Sequence, residues 1–183
     1  MTESSSWSGR IERSLSLFVG LAAILAASVS LYQAALAREQ ARASAWPYLI
    51  IGTSLSEGRP FFLTIANRGI GPARVRTVRV SIDGKPHASW TDAIRTLTAV
   101  EGSPYEYSWI GKGMVISAAT SDTLLTLPAG PTAFNFWRES QKRLSVSVCY
   151  CSVYDECWET GSATPEAVPV TACVEPTGTA FSQ

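Results

Sequence analysis

Four cysteines, Cys149, Cys151, Cys157 and Cys173, are the residues of this 183-residue chain whose type and spacing bear most directly on chemistry. Cysteine sulfurs can bridge, ligate a metal as thiolates, or exchange with other thiols. Leu144, Val146 and Val148 alternate with Ser145 and Ser147, so a period of two puts Cys149 and Cys151 together on the opposite face of one strand. After Cys151 the chain reads SVYDEC, and a tight reversal centred on Tyr154 sets Cys157 across from Cys151. Directly opposed residues have Cβ atoms about 4.5 to 5.5 Å apart, whereas a disulfide prefers about 3.5 to 4.5 Å, so this bridge needs the closer, non-hydrogen-bonded register. Cys149 is then left for Cys173, which pins the Pro-rich C-terminal segment to the sheet. Four cysteines allow three pairings, and this geometry ranks Cys151–Cys157 with Cys149–Cys173 first. The competing chemistries are a tetrahedral zinc site and a thiol-redox centre on Cys149, Cys151 and Cys157. Both more commonly use Cys-x-x-Cys, which is absent.

Other reactive groups are sparse. The sole histidine, His87, follows Lys85-Pro86 and reads as a surface residue at a hairpin edge, with no Gly-x-Ser-x-Gly elbow to pair with it. Asp155, Glu156 and Glu159 cluster as a solvated turn would, rather than as two carboxylates flanking a cleft. There is neither a P-loop nor a glycine-rich dinucleotide fingerprint. The expectation is therefore no catalytic residue, no metal and no cofactor. Arg74, Arg76 and Arg79 form the densest basic group. The first two share a strand face, able to grip an anionic headgroup or a partner's carboxylate, or to guard an exposed edge against aggregation. With the aromatic cluster Phe134, Phe136 and Trp137, Arg74 and Arg76 make the candidate partner surface.

These groups need a scaffold. From Leu15 to Leu36 the chain has neither charge nor proline over about 22 residues, and at 1.5 Å per residue it covers about 33 Å, enough to cross a hydrocarbon core. Arg10 and Arg13 precede it and Arg38 and Arg42 follow, so basic residues do not orient it. The short N-terminal tail and the cysteines of the domain favour a cytoplasmic N-terminus. Ala35-Leu36-Ala37 and Ala43-Ser44-Ala45 fit a signal-peptidase site, but the apolar run exceeds the roughly 7 to 15 residues of a signal peptide's core, which favours an anchor. The division expected is a tail at 1–14, a transmembrane helix at 15–36, a helical linker at 37–45 and an exported domain at 46–183. Along the helix Ala22, Ala26, Ser30 and Ala34 recur every four residues, a stripe on which two helices could pack closely, or simply abundant alanine.

Beyond Trp46, short apolar runs alternate with Gly, Pro, Asn and Asp. Strands are expected at 48–53, 61–66, 75–82, 105–110, 114–117, 123–127, 144–153 and 157–160, with one short helix over 91–100 carrying Ile94, Leu97 and Ala99. The stretch 128–143 fits neither period. This is a mainly β domain of two-sheet, sandwich type. It carries 11 basic and 12 acidic residues. That balance lacks the positive field of a nucleic-acid binder.

The segment FFLTIANRGIGPARVRTVRVSIDGKP, about a fifth of the domain, resembles the strand, Asn-x-Gly turn, strand, Asp-Gly turn pattern of bacterial immunoglobulin-like adhesion modules. In it, Asn67 and Gly69 are expected to supply positive φ, and Gly71 close approach. With WPYL and YCSVYDECW, the whole layout resembles a group of uncharacterised bacterial single-pass membrane proteins. The resemblance implies an immunoglobulin-like antiparallel β-sandwich behind one transmembrane helix, and no activity. The function expected is a non-catalytic binding or accessory subunit on the periplasmic side of a bacterial inner membrane. Its partners would be the lipid bilayer and a protein or a second copy of the chain, a homo-oligomer.

Overall fold

A computed structural model describes residues 4–175 and 181, in two units, 1–43 and 44–183. The first unit is helix α1, Ser4–Ala43. Its segment Leu15–Ala43 is long and apolar enough to cross a membrane. The helix extends into the expected N-terminal tail, of which residues 1–3 lie outside the described residues, and covers the linker up to Ala43. Its large apolar side chains, among them Leu17, Phe18 and Leu31, are exposed, as are Ala22, Ala26, Ser30 and Ala34. The hydroxyls of Ser28 and Ser30 donate to the carbonyls of Ile24 and Ala26, at 2.9 and 2.8 Å. No hydroxyl proton of this pair therefore faces outward unpaired, which suits a hydrocarbon surrounding.

The second unit is mainly β, built from two antiparallel sheets. One has the order β1 (Leu49–Ser54), β2 (Phe61–Asn67), β7 (Ser121–Leu127), β5 (Glu106–Tyr107). The other runs β10 (Val168–Val170), β9 (Cys157–Gly161), β8 (Leu144–Cys151), β3 (Ala73–Ile82), β4 (Lys85–Pro86), with β6 (Val115–Ile116) also on β3. Strand alternation explains the core: Phe61, Leu63 and Ile65 of β2 and Val146, Val148 and Tyr150 of β8 are buried in a single cluster. Strand β3 changes phase within its length. Its buried apolar residues are Ala73 and Val75, then Val78, Val80 and Ile82. The register against β8 slips between Val75 and Thr77, so Arg76 is the extra residue of a β-bulge. That one insertion puts Arg79 on the outward face with Arg74 and Arg76.

Two helices complete the core. Helix α2, Trp90–Thr98, starts at Ser89, whose hydroxyl accepts the Asp92 N–H at 3.2 Å, and buries Trp90, Ala93, Ile94 and Leu97. Ala99, expected inside it, is its C-cap at φ 56. Helix α3, Pro131–Arg143, occupies the stretch that fitted neither period, with Pro131 in its first turn. It buries Ala133, Phe136 and Ser140. The expected strands at 105–110 and 114–117 shrink to two residues each, and β4 and β10 are additions.

The two turn motifs behave differently. Asp83 and Gly84 both have positive φ, 51 and 77, as a two-residue hairpin between β3 and β4 requires. Asn67 and Gly69 do not; positive φ at that turn is a corrected expectation. Asn67 is instead buried as a hydrogen-bond hub. Its Oδ1 accepts from the N–H groups of Tyr48 (3.2 Å) and Gly69 (3.0 Å), and its Nδ2 donates to the carbonyls of Gly71 (2.8 Å) and Ile116 (3.1 Å). Gly69 and Gly71 are required by proximity. A Cβ at Gly69 would lie 2.4 Å from the carbonyl oxygen of Trp46, and one at Gly71 2.0 Å from that of Ala45.

Candidate functional face

The outward face of β9, β8 and β3 gathers the cysteines and the arginines. Cys151 and Cys157 are directly opposed across the β8–β9 hairpin. At its mouth the Ser152 N–H donates to the Glu156 carbonyl at 2.8 Å. The next rung inward, Cys151 and Cys157, is then a close, non-hydrogen-bonded pair, with Cα atoms 4.0 Å apart. They are joined by a disulfide, and Cys149 is joined to Cys173 with Cα atoms 5.7 Å apart. This is the pairing that strand alternation ranks first. Cys149 and Cys151 point away from the core yet are buried. The C-terminal segment around Cys173 lies over them, bonded to Cys149.

Ionic contacts hold the same face. At the hairpin tip Asp155, at φ 61, accepts from the guanidinium groups of Arg74 and, at 3.1 Å, Arg76. Arg74 also donates to the Ser152 carbonyl at 3.0 Å. Arg79 donates to the Val174 carbonyl at 3.0 Å and lies 3.8 Å from Glu159, while Lys112 pairs with Glu175. The reading of these arginines as an exposed edge guard is corrected: β3 sits inside its sheet, with β8 on one side and β4 and β6 on the other. Between the C-terminal segment and the sheet lies a cleft of about 390 Å³, lined by Arg76, Lys112, Asp155 and the cysteines Cys151, Cys157 and Cys173. These three sulfurs fall within 4.8 Å of one another. All four cysteines are bonded in pairs, so a metal could gain thiolate ligands here only after reduction.

His87 is not a surface residue. Its side chain is 11% exposed, and its Nδ1 lies 2.5 Å from an Asp92 carboxylate oxygen, whose other oxygen accepts from Arg95 at 2.6 Å. The His87 hydrogen bond, with help from Arg95, holds the Asp92 carboxyl below the usual carboxylate range. This cluster ties the end of β4 to the start of α2.

The candidate aromatic surface divides. Phe136 is core, its ring 5.2 Å edge-on from that of Phe61, and its place in a partner surface is withdrawn. Trp137 packs partly against the core, and Phe134 remains 50% exposed. Larger exposed aromatics lie elsewhere, at Trp109 (53%) and Tyr107 (49%). Their alternation with Glu106 and Ser108 was the signal available for them. Compared with known protein families, with curated proteins and with solved structures, the chain finds no match.

Proposed function

We propose that this protein is a single-pass anchor carrying an immunoglobulin-like domain on the periplasmic face of a bacterial inner membrane, where the domain serves as a non-catalytic binding or accessory subunit. The observation that carries the reading is the union in one chain of a helix long and apolar enough to cross a membrane and a domain closed by two disulfides. Disulfides persist in oxidising compartments, so the cysteines belong outside the cytoplasm and the helix is what crosses. The strand order supports the immunoglobulin-like form. β1-β2-β7-β5 corresponds to A-B-E-D of that fold, and β9-β8-β3-β4 to G-F-C-C′. The pattern of bacterial single-pass proteins with such domains fits the same layout.

Two separate surfaces support a binding role. Paired ions and cystines fix the shape of the outward face of β9, β8 and β3, and elsewhere exposed Phe134, Tyr107 and Trp109 offer rigid contact area of the kind that interfaces favour. Alkaline phosphatase fused after Gln183 is expected to be active, and an inactive fusion beside an active cytoplasmic reporter at the same site overturns the topology. The subunit role is tested by purification from detergent-solubilised membranes, with a stoichiometric protein partner or a homo-oligomer expected. A monodisperse monomer without partner overturns it.

A further inference from the structure

The two cystines are not independent. Cys151 Sγ lies 3.9 Å from Cys173 Sγ, a sulfur of the other bridge. We propose that the pair forms a thiol–disulfide exchange relay whose co-reactant is a dithiol, and that the relay moves the attachment of the C-terminal segment from Cys149 to Cys151. This goes beyond a binding role and does not rest on it.

Exposure limits the points of entry. Cys151 and Cys149 are buried, whereas Cys157 and Cys173 are half-buried and border the open cleft. The relay is the path entered at Cys157. In the first step the dithiol's thiolate bonds to Cys157 Sγ, the Cys151–Cys157 bond breaks, and its electron pair leaves on Cys151. In the second step Cys151 attacks Cys173 Sγ, the nearest sulfur of the intact bridge. A Cys151–Cys173 bond forms, the Cys149–Cys173 bond breaks, and Cys149 takes the electron pair. In the third the dithiol's second thiolate attacks its own bonded sulfur, closing the dithiol to a disulfide and releasing Cys157. The dithiol loses two electrons and two protons, and Cys149 and Cys157 gain them as thiols. The protein keeps one bridge throughout.

The consequence is mechanical. Cys149 and Cys151 are two residues apart on one strand, so the attachment point moves by about 7 Å along β8. The contacts that the segment makes in the present state, Arg79 to the Val174 carbonyl and Lys112 to Glu175, set what that displacement must break.

The test uses the full chain in detergent, dithiothreitol as the dithiol at equimolar dose, alkylation to stop exchange, and peptide mapping with cleavage after Tyr150 to separate Cys149 from Cys151. The expected main one-bridge species is Cys151–Cys173 with Cys149 and Cys157 alkylated. A main species that keeps Cys149–Cys173 with Cys151 and Cys157 alkylated, or one that keeps Cys151–Cys157 with Cys149 and Cys173 alkylated, overturns the relay, as does simultaneous alkylation of all four or a failure of dithiothreitol to open either bridge. Cys157→Ser gives a second reading without reductant. It should yield a mixture of Cys149–Cys173 and Cys151–Cys173 bridges, and Cys149–Cys173 alone overturns the proposal.

Discussion

The turn that begins at Asn67 and the hairpin that joins β8 to β9 are both densely bonded, but with bonds of opposite kinds. At Asn67 there are four neutral hydrogen bonds, three buried and one part-buried, and two glycines let the backbone of residues 45–48 close over them. At the hairpin, a disulfide and ion pairs to Asp155 do the holding, at a surface where the Asp155 side chain is mostly open to solvent. Buried neutral bonds are indifferent to salt and reductant and costly to leave unmade. Exposed ionic bonds contribute little and are screened, so a surface hairpin needs a covalent bond to be equally rigid. Order at the first motif is thus fixed by folding, whereas order at the second answers to redox state and ionic strength.

The largest effect expected is at the hub. Asn67→Ala strands the N–H groups of Tyr48 and Gly69 and the carbonyls of Gly71 and Ile116, and should cost roughly 3 to 4 kcal/mol, read by urea denaturation and unchanged by salt. A loss under about 1 kcal/mol would mean that the hub is dispensable and erase the contrast. Next comes the longer bridge. Cys149→Ser with Cys173→Ser opens a loop of sequence separation 24, and chain entropy assigns it about 3.5 kcal/mol. Denaturation with and without reductant checks this: the double variant should show less sensitivity to reductant than the parent chain.

Much of this comparison was legible in the residues, and the misses have physical causes. Period-two alternation in Leu144 to Val148 is enough to place Cys149 and Cys151 on one face, because a strand leaves no other option. The same logic applied to β3 works only within each half, since the residue inserted at the bulge inverts the faces, and its mark is the switch of apolar positions from Ala73 and Val75 to Val78, Val80 and Ile82. Helix α3 escaped because its buried side, Ala133, Phe136 and Ser140, includes a hydroxyl, while Phe134 points out; apolar period and burial disagree there. His87 misled for another reason: its partner Asp92 is on a helix whose packing no local pattern reveals. Asn67 was read through the backbone freedom of its type, and its side-chain amide did the work instead. The strands β4 and β10 are two and three residues long, and exist through pairing rather than through any pattern of their own.

A third prediction sharpens the neutral side of the contrast with pH. Tyr150 is buried beneath the hairpin, and its hydroxyl accepts the Leu49 N–H at 3.1 Å. Burial pushes the phenol up to about 12 from 10.0. Because the folded value is raised, the unfolded chain ionises first. The stability that Tyr150 contributes is then whole below pH 10.0 and lost as pH rises toward about 12. Tyr150→Phe should cost roughly 1 to 3 kcal/mol at neutral pH, through the stranded Leu49 N–H, and should flatten that alkaline decline. Urea denaturation across the alkaline range reads both, and no free cysteine is present to start disulfide exchange. An equally steep decline in the variant would remove Tyr150 as its source.

The smallest effect belongs to Asp155, and it separates charge from backbone. Its carboxylate pairs with Arg74 and Arg76 at 73% side-chain exposure, where an ion pair contributes about 0.2 to 1 kcal/mol. Its backbone sits at φ 61, a region that asparagine and aspartate enter readily and that alanine, as at Ala99, enters at a cost of about 1 to 2 kcal/mol. Asp155→Asn keeps the backbone preference and removes the charge, so its loss should be under about 1 kcal/mol and should vanish near 1 M salt, where the Debye length falls to about 3 Å. Asp155→Ala removes both, so its larger loss should persist in salt. The difference between the variants at high salt then measures the backbone alone. If Asp155→Asn keeps its full loss at high salt, the hairpin tip is held by something other than screened charge, and the division between the two motifs fails at this point.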